Sequence, residues 1–109
     1  MSTSPFTDTC KQEYLVSLQK LMSAKQATVF STTYCGYCTK AKKLLKQHDV
    51  EYNEVMLDEI AQGDAYEVSN CIYGKGERKT VPVIFMDNKK VGGYGELMDM
   101  QKQGAINKV

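Results

Sequence analysis

The stretch Ala27-Thr28-Val29-Phe30-Ser31-Thr32-Thr33-Tyr34-Cys35-Gly36-Tyr37-Cys38-Thr39-Lys40-Ala41 decides the fold. Ala27 to Ser31 reads as a short buried strand. From Thr39 to His48, Ala41, Leu44 and Leu45 share a face, while Lys40, Lys42, Lys43 and Lys46 take the others. That spacing predicts an amphipathic helix that starts at or within the Cys35-Gly36-Tyr37-Cys38 motif. Lys46 and His48 near its end suit the negative pole of the helix dipole. A cysteine pair is thus predicted at a strand-to-helix junction.

Upstream, Tyr14, Leu15, Leu18, Leu21 and Met22 recur at helical spacing between Asp8 and Lys25. Downstream, Glu51 to Leu57 reads as a second strand. Asp58 can cap a third helix that runs to about Tyr73. Residues 74–79 are a loop. Val81 to Met86 is a strand with an early proline, Pro82. Asp87 to Lys90 is a turn into a short strand at Val91, which Gly92-Gly93 breaks. A last helix is expected from Gly95 to Ile106.

The order α-β-α-β-α-β-β-α begins its sheet with a βαβ unit, hence a parallel pair, and ends it with an antiparallel hairpin. The expected class is α/β, a four-stranded mixed sheet with helices on both faces. Residues 1–7 read as a short mobile lead-in and 8–109 as one domain. A chain of 109 residues fits one domain and hardly two.

The formal net charge of +1 gives no evident attraction to a nucleic acid or an anionic membrane. No apolar run approaches the ~18 residues of a membrane span. Met1-Ser2-Thr3-Ser4-Pro5 lacks the basic and apolar start of a secretory signal, so a cytoplasmic location is the expectation. Thiols there are mostly reduced, which disfavours two structural disulfides among Cys10, Cys35, Cys38 and Cys71. Structural zinc wants a second close ligand pair. Cys10 and Cys71 lie far apart, and His48 is the only histidine. Cys71 reads as a small buried hydrophobe or a regulatory thiol, and Cys10 as an exposed, modifiable thiol or an incidental one.

A thiol attacks a disulfide as the thiolate. At the helix start, free N–H groups and the dipole can lower the Cys35 value from ~8.5 toward ~7. Cys38, about one turn inside, lacks that help. Cys35 is therefore the expected nucleophile and Cys38 the resolving thiol. Gly36 stands where proline would prepay chain entropy. The difference is worth ~0.4–1 kcal/mol, a shift of only ~10–20 mV in redox potential.

These residues resemble a known family. Phe30 to Ala41 looks like a dithiol glutaredoxin active site. Thr80-Val81-Pro82 resembles that family's TVP segment, and Gly92-Gly93-Tyr94-Gly95-Glu96-Leu97 its Gly-Gly-x-x-acid-Leu segment. Thioredoxin, the nearest rival, would usually carry Trp before the first cysteine, and this chain has no Trp. The resemblance implies a thioredoxin-like fold and glutathione as thiol cofactor. It implies reduction of protein–glutathione mixed disulfides and small disulfides, an electron-transport role in cell redox homeostasis. By resemblance, Pro82 is a cis proline that turns the Val81 backbone, beside Thr80, toward the glutathione cysteine, and Tyr37 flanks the tripeptide. Tyr94 and Gly95, after Gly93, offer N–H groups to the γ-glutamyl carboxylate, and Glu96 accepts from its amino group. Thr32 stands where many members have lysine, and Arg78 or Lys79 would have to compensate. Gly95 stands where Ser, Thr or Asp is usual. An alternative is a [2Fe-2S] cluster held by Cys35 of two protomers and two glutathiones, to which the freer backbone at Gly36 points. The expected partners are glutathione and glutathionylated or disulfide-bonded proteins, and the expected state is a monomer or a cluster-bridged homodimer.

Overall fold

The strand that precedes the cysteine motif, β1 (Ala27–Ser31), is buried along its whole length and forms the middle of the sheet. In the computed structural model, which describes residues 5–73 and 80–106, it runs parallel to β2 (Tyr52–Met56). On its other side it runs antiparallel to β3 (Val83–Met86), which pairs in turn with β4 (Lys89–Gly92). The strand order is β2-β1-β3-β4, the expected four-stranded mixed sheet.

Side chains alternate across a strand, and here the alternation sorts the core into two layers. Phe30, Val83 and Phe85 face α1 (Gln12–Ala24) and α3 (Gln62–Ile72), packing with Leu18, Met22, Val68 and Ile72. Ala27, Val29, Ile84 and Met86 face α2 (Gly36–Gln47) and α4 (Tyr94–Lys102), packing with Ala41, Leu44, Leu45 and Leu97. Both faces of the sheet are covered, the arrangement of a thioredoxin-like fold.

One expectation needs correction. Asp58 does not cap α3, which starts after Ala61 with no side-chain cap. Its carboxylate accepts instead from the Thr33 N–H, at 3.0 and 3.2 Å. The lead-in, within its described part, is packed. Phe6 is 9% exposed with its ring 5.3 Å from that of Phe85, and the Thr7 N–H donates to the Cys71 carbonyl. The expected loop at 74–79 lies outside the described residues.

Candidate active site

β1 delivers the cysteine motif to one end of the sheet, and the chain between is strapped down. The Leu57 N–H donates to the Ser31 carbonyl at 2.9 Å, and Asp58 receives the Thr33 N–H. The Thr33 N–H, helped by the Thr33 hydroxyl, holds the Asp58 carboxyl below its ordinary value against the opposing effect of burial. Cys35 is the N-cap of α2, in extended conformation, and the Cys38 N–H donates to its Sγ at 3.1 Å. Sulfur thus takes the place of the hydroxyl or carboxylate that usually caps a helix. Cys35 is half-buried, whereas Cys38 is 2% exposed beneath the helix. The two are joined as a disulfide. Tyr34, beside Cys35, is 98% exposed.

α2 is fixed to the sheet from below. Lys42 pairs with Glu54 at 2.8 Å, and the buried Ser31 hydroxyl donates to the same carboxylate at 2.6 Å. Burial pushes the Glu54 carboxyl up, but the Lys42 and Ser31 hydrogen bonds and the Lys42 charge outweigh it. The net value lies below the ordinary one.

Seven residues from three separate segments line one cleft of about 370 Å³: Tyr37, then Thr80, Val81 and Pro82, then Gly93, Tyr94 and Gly95. The Val81–Pro82 peptide is cis. The Tyr37 and Tyr94 rings lie 5.8 Å apart, and Lys40 Nζ sits 5.3 Å from the centroid of the Tyr37 ring. Glu96 stands apart from the other residues of the resemblance. It is not part of the cleft wall, and its Oε1 accepts from the Gly93 N–H at 2.6 Å, closing the first turn of α4. Gly92 has φ +120°, and a Cβ there would lie 2.8 Å from Glu96 Oε1. Gly36 and Gly95, in contrast, face open space. Thr32 is half-buried beside the motif, while Arg78 and Lys79 lie outside the described residues.

Three contributors escape a reading of motifs. Tyr73 donates its hydroxyl to the Thr80 carbonyl at 2.7 Å and so holds one wall of the cleft from behind. Asp58 secures the loop before Cys35. Lys40 covers Tyr37, and here helical spacing of three residues is a signal in the sequence. The remaining cysteines correct the expectation of unpaired thiols. Cys71 is fully buried as anticipated, but it is bonded to Cys10, because the last turn of α3 packs against the lead-in. Among the described residues, no group of three or more His, Cys, Asp or Glu side chains could hold a metal ion.

Comparison with known proteins agrees with this geometry. The glutaredoxin family model matches residues 27–91. "Glutaredoxin 1" of Rickettsia conorii is 40% identical over 81 residues, which cover 74% of this chain and 76% of that one. "Glutaredoxin-C1" of Arabidopsis thaliana is 34% identical over 99 residues, 88% of this chain and 78% of that one. Among solved structures, a buckwheat glutaredoxin–glutathione complex superimposes with a TM-score of 0.70 at 32% identity, covering 87% of this chain and 84% of that one.

Proposed function

The chain belongs to the glutaredoxin family, and from that premise we propose that this thiol–disulfide oxidoreductase uses glutathione to reduce protein–glutathione mixed disulfides and small disulfides. The observation that carries the reading is the cleft that joins Tyr37 of the motif to Thr80–Pro82 and Gly93–Gly95. It offers exposed backbone and two aromatic rings to a short peptide held beside Cys35. The buckwheat relative crystallised with glutathione supports the same ligand here.

In the reduced protein the Cys38 N–H that now meets Cys35 Sγ is in place to stabilise the Cys35 thiolate. That thiolate attacks the glutathione sulfur of a mixed disulfide. The S–S bond breaks, and the electron pair leaves with the protein thiolate, which takes a proton from water. Cys35 is then glutathionylated. A second glutathione attacks the bound glutathione sulfur, giving glutathione disulfide and free Cys35. Alternatively Cys38 attacks Cys35 Sγ, giving the internal disulfide and glutathione. The half-exposed Cys35 suits the first attack, and the buried Cys38 suits only the second. Chemistry through a thiolate fits a reducing compartment, the cytoplasm, and a monomer suffices for it. Gly36 is the residue that points to the cluster alternative, and the cleft and the cysteine pair are accounted for without a cluster.

The test is turnover of a glutathionylated peptide by wild type, Cys35→Ser and Cys38→Ser. Loss in Cys35→Ser with retention in Cys38→Ser is expected. Full activity in Cys35→Ser, or equal rates with free cysteine in place of glutathione, overturns the proposal.

A further inference from the structure

We propose that Cys10–Cys71 is a second exchangeable disulfide, a redox latch that docks the N-terminal arm and tightens the glutathione cleft. The bond joins residues 61 apart in sequence, on a side of the sheet that the motif cysteines do not share. Its two sulfurs differ in access. Cys71 is 0% exposed within the core layer of Phe6, Phe30 and Phe85, whereas Cys10 is only half-buried. A small thiolate can therefore reach only Cys10.

The exchange balances as follows. A thiolate of the glutathione class attacks Cys10 Sγ, the Cys10–Cys71 bond breaks, and the electron pair leaves with Cys71, which takes a proton from water. A second thiolate attacks the outer sulfur of the mixed disulfide at Cys10. The products are two protein thiols and one small-molecule disulfide. In a reducing compartment, protein disulfides are usually transient or sensing, and a half-exposed one is open to reduction.

The latch has a route to the cleft. The arm lies on the end of α3. The Thr7 N–H donates to the Cys71 carbonyl at 3.0 Å, and the Thr7 and Thr9 hydroxyls both donate to the Asn70 carbonyl. Two residues beyond Cys71, the Tyr73 hydroxyl holds the Thr80 carbonyl, and Thr80 is part of the cleft wall. Lys90 Nζ, from β4, donates to the Ile72 carbonyl between them at 2.8 Å. Breaking the bond removes the covalent tie and leaves the arm to Phe6, these hydrogen bonds and the neighbouring Lys11–Glu67 ion pair. Local opening of the arm and of the α3 end then becomes easier, and Tyr73 holds Thr80 less firmly.

The effect on the cleft rests on the glutathione reading, but the bond itself does not. The experiment equilibrates wild type in glutathione redox buffers, alkylates free thiols and maps the cysteines by mass spectrometry. Interconversion of the Cys10–Cys71 pair is expected. A pair that stays reduced in excess glutathione disulfide, or oxidised in millimolar glutathione, overturns the latch. Amide exchange is then compared between the oxidised wild type, Cys10→Ala and Cys10→Ser, with the Cys35–Cys38 pair in the same redox state in all three. Faster exchange at Thr7 and Tyr73, whose N–H groups donate to the Cys71 and Ser69 carbonyls, is expected in the last two, with a roughly fivefold or greater loss of glutathione affinity. An unchanged glutathione affinity overturns the coupling. If neither form binds glutathione, the glutathione reading fails, while alkylation and amide exchange still decide the latch.

Discussion

Two glycines at the site stand in different surroundings, and they lead to opposite expectations. Gly92 has φ +120°, and its missing Cβ would strike Glu96 Oε1 at 2.8 Å. Gly92→Ala therefore strains the backbone and pushes Glu96 away from the Gly93 N–H. A cost of about 1–3 kcal/mol is expected in urea unfolding, with a raised KM for glutathione. An unchanged midpoint would mean that the turn relaxes freely. Gly36, at the first position of α2, meets nothing within 4 Å. Gly36→Ala costs no packing and removes unfolded-chain entropy, so a gain of about 0.4–1 kcal/mol is expected. Sequence distinguishes these sites only in part. Gly92-Gly93 reads as a strand breaker, but the carboxylate that fills the space beside it is a neighbour in three dimensions. The position of Cys35 is legible, because a cysteine just before the apolar helical pattern falls at the N-cap of α2.

Elements carry the site through their joints. α2 is fastened to β2 by Lys42–Glu54, with Ser31 of β1 completing the carboxylate's bonds. The folded Glu54 carboxyl lies below its ordinary value of 4.5. A depressed carboxylate stabilises the fold above the unfolded value and ceases to do so as pH falls through the folded one. Acid unfolding should therefore steepen below about pH 4.5, and Glu54→Gln should flatten that part of the curve while lowering stability at pH 7. Denaturant midpoints at pH 7 and pH 3.5 for both proteins measure it, and parallel curves would remove Glu54 from the account. Strand and helix existence was readable from periodicity alone, since β1 and α2 bury what their patterns say. Their starts were less so. Asp58 has the side chain of a helix cap, but Thr33, 25 residues away, takes its carboxylate first. A residue type announces a capacity, and the partner that uses it is fixed by tertiary packing.

At the scale of the molecule, the least legible feature is the pairing of Cys10 with Cys71. Sequence spacing says nothing about which distant cysteines meet. That information appears only when α3 and the arm share one face of the sheet. The cleft, equally non-local, was legible because each of its three segments carries a motif of its own. The bond closes a loop that contains α1, β1, α2, β2 and α3, most of the cooperative unit. For a separation of 61 residues the loop-closure relation gives about 4 kcal/mol of constraint on the unfolded chain. A cross-link that also restricts the native arm returns part of this, so the net gain should fall at about 2–4 kcal/mol. Against a typical total of ~5–15 kcal/mol, that is a large share. Cys10→Ser should thus unfold at lower urea than wild type oxidised at Cys10–Cys71, with the same motif redox state in both proteins. Reductant should lower the wild-type midpoint toward that of the variant. A midpoint indifferent to the bond would mean that the arm undocks before the rest of the fold and that its cross-link constrains the native and unfolded chains alike.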